Sequence, residues 1–282
     1  MPGGGSFRQV TLDGDPAIIA AGLPHRVYRM ADSKTVTAAL LIIGNEILSG
    51  RTKDANLPFI AERLGDMGIR LSEVRVVPDV ADEIIAAVNT LRKKYDYLFT
   101  TGGIGPTHDD ITAGCVAAAF ARKLIQNAEA RQRLEERWAE TGIEMNEARL
   151  RMANTPEGAT LIDNPVSAAP GFQVENVFVM AGVPKIMQAM FGSLRERLVG
   201  GAPLLSRSIV CDLPEGQLAS GLGALQSRHT DVDIGSYPSY AQSGFRVAVV
   251  LRHTDCDVLD AVAKDVVALI GDLGGTVETQ RD

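Results

Sequence analysis

The densest run of chemistry-bearing residues lies between Thr100 and Thr112, where Gly102, Gly103 and Gly105 precede the adjacent carboxylates Asp109 and Asp110. An apolar strand from Tyr97 to Phe99 enters this run, and a helical pattern is expected just after Asp110. Glycines between a strand end and a helix start leave backbone amides uncovered. Together with the partial positive charge of a helix N-terminus, such amides suit a phosphate or a similar oxyanion. Asp109 and Asp110 then stand where a phosphate-bound Mg²⁺ or similar divalent cation would draw a ligand. The plainer alternative is a Gly-rich turn in which Asp110 caps the next helix. A turn alone does not require the further polar residues Thr101, Thr107, His108 and Thr112, so a nucleotide or phosphoester site is the stronger reading.

Positioning such a site requires a sheet. Val36 to Ile43 is an almost unbroken apolar run, the mark of a parallel strand buried on both faces. Asp54 to Met67 carries Leu57, Ile60, Ala61, Leu64 and Met67 on one helical stripe that Gly68 ends. A β-branched stretch follows at 69–77, then helical periodicity at 82–91, the strand into Thr101, and a helix of small residues at 112–121. Asn127 to Thr141 reads as a charged helix with Leu134 and Trp138 inward, and 144–153 as a shorter one. Strand signals return at 160–162 and 177–181 before a helix at 185–198.

This alternation predicts an α/β fold, a three-layer open and mostly parallel sheet with helices on both faces. Ligands of such sheets lie beyond the carboxyl ends of the strands. That rule gathers Gly44-Asn45-Glu46, Pro78-Asp79, the Gly-rich loop and Gly182-Val183-Pro184 into one crevice. Glu46 and Asp79 could equally be turn residues, and Asn56 a first-turn polar residue.

Gly200-Gly201-Ala202-Pro203 reads as a linker between a domain at 35–199 and a second, small α+β domain at 204–282 with βαββα order and a possible last strand near Thr276. Residues 1–34 read as a disordered N-terminal extension. The net charge of −7 argues against nucleic acid as a partner, because backbone binding draws on clustered Lys and Arg. Cys115, Cys211 and Cys256 are odd in number and widely spaced, which favours a reducing, cytoplasmic location. No apolar run is long enough to span a bilayer, so no membrane association is expected.

The segments Gly44-Asn45-Glu46-Ile47-Leu48, Val76-Val77-Pro78-Asp79 and Thr100-Thr101-Gly102-Gly103-Ile104-Gly105-Pro106-Thr107-His108-Asp109-Asp110-Ile111-Thr112 resemble the competence/damage-inducible protein A (CinA) family. Its N-terminal region has the molybdopterin-binding fold of the MoaB and Mog proteins. Pro156-Glu157-Gly158-Ala159, Asn164-Pro165-Val166 and Ala169-Pro170-Gly171-Phe172 extend the resemblance. The chain departs from the family at Ile186, where a carboxylate is usual, and it resembles the short form that lacks a C-terminal deamidase domain.

The resemblance implies a metal-dependent nucleotide pyrophosphatase that cleaves ADP-ribose or a flavin dinucleotide. The alternatives are a molybdopterin-binding protein or adenylyltransferase, and a non-catalytic nucleotide-binding sensor or scaffold. It implies catalytic roles for Asp110, Asp79 and Glu46, and a divalent metal at Asp110 and Asp109. Gly102, Gly103, Gly105, Thr101, Thr107, Thr112, Asn56 and Gly182 become candidates for holding a nucleotide or pterin phosphate. A homo-oligomer is expected.

Overall fold

The computed structural model describes residues 35–142, 144, 146–241 and 244–281. The expected extension at residues 1–34 lies outside the described residues. In chain order the first unit contains β1 (Val36–Ile43), α1 (Asn45–Leu48), α2 (Asn56–Asp66), β2 (Ile69–Val77), α3 (Ala81–Lys94), β3 (Tyr97–Thr101) and α4 (Thr112–Ala119). It continues with β4 (Leu124–Gln126), α5 (Ala128–Thr141), α6 (Glu147–Leu150), β5 (Asn154–Pro156), β6 (Thr160–Ile162), β7 (Gly171–Val174), β8 (Val177–Met180) and α7 (Pro184–Leu194). Then come β9 (Leu205–Cys211), α8 (Glu215–Arg228), β10 (Asp233–Ala241), β11 (Gly244–His253), α9 (Cys256–Asp272) and β12 (Val277–Arg281).

The main sheet has the order β2-β1-β3-β8-β7-β6. Strands β2, β1, β3 and β8 pair in parallel, whereas β7 and β6 add an antiparallel edge. Central β1 explains its own apolar run, because its alternate residues feed two different cores. Ala39, Leu41 and Ile43 pack with Ile84, Val88 and Leu91 of α3 and with Val116 of α4. Ala38, Leu40 and Ile42 pack with Ile60 and Leu64 of α2 and with Met187 and Met190 of α7. Helices therefore cover both faces, as the alternating pattern predicts. On the α2/α7 face the registered neighbours Phe99 and Phe178 stack with ring centroids 5.2 Å apart.

The antiparallel edge departs from the sequence reading. Thr160–Ile162 pairs with β7, a strand not expected, and β7 returns through a tight turn to β8. The small β4–β5 sheet is also new, and beside it Ala130 and Leu134 of α5 are buried with Ala153 and Leu161, against which Trp138 packs.

The second unit is an antiparallel sheet in the order β10-β11-β9-β12. Leu218, Leu222 and Leu225 of α8 and Leu259, Val262 and Val266 of α9 close its core. The last strand, β12, completes the sheet beside β9. No helix among the described residues is long and apolar enough to cross a membrane.

Candidate functional site

Four parallel strands end side by side, and the helix after each begins at that same end of the sheet. The N-termini of α2, α4 and α7 therefore surround the carboxyl ends of β1, β3 and β8. Each carries partial positive charge and amides with no partner inside its helix. Among these loops lies a cavity of about 490 Å³, lined by residues that include Glu46, Gly102, Gly103, Gly105, Asp110 and Gly182.

The Gly-rich loop is held by its own residues. The Thr112 side chain is buried, with its hydroxyl donating to Gly102 O at 3.0 Å and its amide donating to Gly103 O at 3.0 Å. Gly103 has a φ of +66°, and a Cβ there would lie 2.2 Å from Thr112 Oγ1. Only glycine accepts both that backbone conformation and that contact. With the carbonyls drawn back to Thr112, the amides of Gly103, Ile104 and Gly105 donate to no acceptor among the described residues. The amides of Gly182 and Val183, on the adjoining strand end at the start of α7, are in the same state.

Gly102 behaves differently. Its amide donates to Met180 O at 3.2 Å, so it cannot also hold an anion. Its φ is +104°, and a Cβ would lie 2.1 Å from Ile43 O. Gly102 is thus needed for the close approach of neighbouring strand ends, and its expected part as a phosphate donor is corrected.

Asp110 does not cap the following helix. Helix α4 starts at Thr112 after Ile111, with no side-chain cap. The Asp110 carboxylate instead accepts from the Thr107 amide at 2.8 Å and from its hydroxyl at 2.5 Å, closing the turn over the exposed tip Pro106–Asp109. Thr107 therefore serves the loop's shape. Asp109 is exposed, and its carboxyl is drawn below the usual range, first by the Thr107 hydroxyl and then by its own backbone amide. That hydroxyl has one proton, and at 2.5 Å from Asp110 it belongs to Asp110. Asp109 is absent from the cavity lining, so the two adjacent carboxylates do not converge on it.

Asp79 is likewise outside the lining. Its Oδ2 accepts from the Asn45 amide at 2.9 Å, pinning the loop after β2 to the loop after β1. Glu46, on the pinned loop, has an exposed side chain on the cavity wall. Asn56 and Thr101 are buried in a smaller recess that shares Glu46, Thr52, Gly182 and Pro184 with the main cavity. Lys53 lines that recess too, and it makes no ion pair among the described residues. Behind the loop, Cys115 is buried in the core and burial pushes its thiol pKa up, which suits packing rather than reactivity.

Several wall residues are not among the site residues expected from sequence, although Asn164 and Ile186 belong to segments compared with the family there. Met152, Asn164, Ser167, Ile186 and Met190 line the cavity opposite the glycines. Asn164 organises this wall, with Nδ2 donating to Ser167 Oγ and Ala169 O, and Oδ1 accepting from the Val166 and Ser167 amides. Its turn holds Ala168 at a φ of +61°, a conformation that costs a non-glycine residue about 1–2 kcal/mol. The signal was present as Asn-Pro-Val ahead of a second proline, which marks a turn without saying which cavity it faces.

No group of three or more His, Cys, Asp or Glu among the described residues could hold a metal ion. A cation held wholly by protein ligands does not fit. Mg²⁺ typically needs only one or two carboxylates plus substrate phosphates. Asp110 and Glu46 on the cavity wall fit that mode, and Asp110 Oδ1 carries no hydrogen bond among the described residues.

Residues 39–199 match the family described as "Probable molybdopterin binding domain", and residues 203–273 match "FAD synthase, middle domain". The chain belongs to the molybdopterin-binding domain family. A protein of Archaeoglobus fulgidus is 35% identical over 199 residues, covering 71% of this chain and 84% of that one. A protein named "Probable FAD synthase" from Caenorhabditis elegans is 31% identical over 272 residues, covering 87% of this chain and 51% of that protein. The chain thus spans about half the length of that synthase. Among solved structures, CinA from Thermoplasma acidophilum, described as of unknown function, superposes with a TM-score of 0.53 at 32% identity. It covers 57% of this chain and 98% of that one. The α/β unit has that CinA-like fold.

Proposed function

We propose that the chain is a nucleotide pyrophosphatase that cleaves a nucleoside-diphosphate-linked compound of the flavin adenine dinucleotide or ADP-ribose type. One observation carries this reading: the amides of Gly103, Ile104 and Gly105 have no acceptor among the described residues and belong to the floor of a cavity walled by Asp110 and Glu46. Unspent amides from two adjoining loops of one cavity suit a diphosphate better than a single carboxylate. The FAD synthase relatives, which match across both units of this chain, support the flavin dinucleotide.

In this reading the Gly103, Ile104 and Gly105 amides bind some of the phosphoryl oxygens and the Gly182 and Val183 amides of the adjoining loop bind others. Lys53 adds positive charge at the rim of the recess. A water oxygen attacks the adenylyl phosphorus as the bond from that phosphorus to the bridging oxygen breaks. AMP and a second phosphate monoester are released, and Glu46 accepts the water's proton. A divalent cation at Asp110, when bound, would offset the charge that develops on the phosphoryl oxygens and would leave Glu46 free to act as the base. Every amide bond to the anion is charge-assisted, worth roughly 1.5–3 kcal/mol, so several suffice without a P-loop lysine.

The family description favours a second reading, in which the same floor holds a pterin phosphate for adenylyl transfer. The test is incubation with Mg²⁺, Mn²⁺ or Co²⁺ and FAD, ADP-ribose, NAD or ATP. AMP release from FAD or ADP-ribose is expected. No AMP under any metal, together with ATP-dependent modification of molybdopterin, would transfer the assignment to the second reading.

A further inference from the structure

The recess beside the main cavity is small, about 50 Å³, and two of its lining residues each carry a buried oxygen with no hydrogen-bond partner. They are Asn56 Oδ1 and Thr101 Oγ1, on residues that are 3% and 1% exposed. The orientation of Asn56 is fixed, because its Nδ2 donates to Gly182 O at 2.8 Å and a flipped amide would set two acceptors against each other. Oδ1 is therefore an acceptor awaiting a donor. Leaving such a group unmatched costs about 1–3 kcal/mol. Asn164, on the opposite wall, has all of its amide capacity filled. The chain thus satisfies a buried asparagine where its role is structural and leaves one half-satisfied beside the anion floor.

A phosphate oxygen cannot meet Asn56 Oδ1, since both would be acceptors. The recess has room for only about three to five water-sized groups, too few for a purine or isoalloxazine ring. What remains is a hydroxyl-bearing edge. We infer that Asn56 and Thr101 form a sugar-hydroxyl subsite, with the Asn56 carbonyl accepting from one hydroxyl of the substrate's sugar and Thr101 bonding the same or the neighbouring hydroxyl. The inference rests on the diphosphate reading above and adds to it. The glycine amides take the charge, and the buried pair selects a ribose or ribityl group over any diphosphate that lacks it. The two compartments share Glu46, Thr52, Gly182 and Pro184 in their linings and so adjoin one another, as one ligand spanning both requires.

The experiment titrates the full chain and Thr101→Val, in Mg²⁺ buffer, with ADP, 2′,3′-dideoxy-ADP and FMN. A site built to bond a hydroxyl penalises its absence, so wild type should bind ADP at least about tenfold more tightly than the dideoxy compound. In Thr101→Val that gap should shrink by loss of ADP affinity alone. The melting temperature of the free variant should hold or rise, because the hydroxyl removed has no partner to lose. A gap absent with ADP but an FMN affinity that falls in Thr101→Val would identify the ribityl chain as the sugar. Equal binding of ADP and its dideoxy analogue, with FMN indifferent to Thr101→Val, overturns the subsite and leaves the diphosphate reading intact. Binding of none of the three by wild type overturns both.

Discussion

Asp110 and Thr107 close a four-residue turn on one oxygen: Oδ2 of Asp110 accepts from both the Thr107 amide, at 2.8 Å, and the Thr107 hydroxyl, at 2.5 Å. Oδ1 remains without a partner among the described residues. One carboxylate thus shapes the loop with one oxygen while offering the other. A group buried as a helix cap would have no such division of labour.

Asp110→Asn separates the two duties. The amide oxygen can still accept from Thr107, so the fold should persist, while the charge on the cavity wall is lost. We expect kcat with FAD or ADP-ribose to fall by a factor on the order of 10² or more, with KM changing less. Steady-state kinetics on a variant whose melting curve is unbroken provides the check. Unchanged turnover would leave Asp110 with the loop-shaping role alone.

Gly103→Ala should weaken nucleotide binding at least tenfold, about 1.4 kcal/mol. The added methyl group would meet Thr112 Oγ1 at 2.2 Å, and the φ of +66° disfavours alanine independently. Gly105 has ordinary φ, and its Cβ would meet the Asp110 carboxylate at 2.6 Å. Gly105→Ala should therefore impair turnover more than folding. Calorimetric titration alongside thermal melts distinguishes the two, and wild-type affinity in both variants would move the phosphate elsewhere.

A pH effect is expected far from the site. Lys94, Tyr95 and Arg75 all donate to Glu73, and these bonds lower its pKa from 4.5 to about 2. A carboxylate whose folded pKa is depressed adds stability that is full above its unfolded pKa. That stability is lost as pH falls through the folded value. The stability difference between wild type and Glu73→Gln should stay constant above about pH 5 and close as pH falls from about 4.5 toward 2. Parallel melting curves across that window would show that the cluster contributes nothing.

Residues 204–282 should not bind RNA. They hold 6 Lys and Arg against 11 Asp and Glu, a net of −5, so phosphate contact finds few cations. A gel-shift titration of the full chain at physiological salt is expected to show no submicromolar complex.

Where the sequence was legible, a long-range rule acted through local composition. Val36–Ile43 could be read as a doubly buried strand because every residue in it but Thr37 is apolar, and the crevice followed from the alternation of strands and helices. The antiparallel edge was not legible, because β7 is only four residues long and follows Pro170, too short for any period to show. The Gly-rich loop was recognisable as a stretch of uncovered amides, but which of its amides are spent was not. That depends on Met180 O, brought in by a strand far along the chain. Asp79 gained its catalytic expectation from the family resemblance alone, and here its carboxylate accepts from the Asn45 amide, a contact invisible without the neighbouring loop.

The meeting of Gly102 with Ile43 O and of Gly182 with Gly102 Cα, where added methyl groups would lie at 2.1 Å and 3.2 Å, has a consequence for redesign. Three strand ends touch backbone to backbone, so the floor has almost no sequence freedom. The opposite wall has a great deal, since Met152, Val183 and Ile186 present side chains to the cavity without holding the sheet together. A mutational library aimed at a new leaving group belongs on that wall. The same diversity placed in the glycines would sample mostly chains that can no longer bring their strands into register.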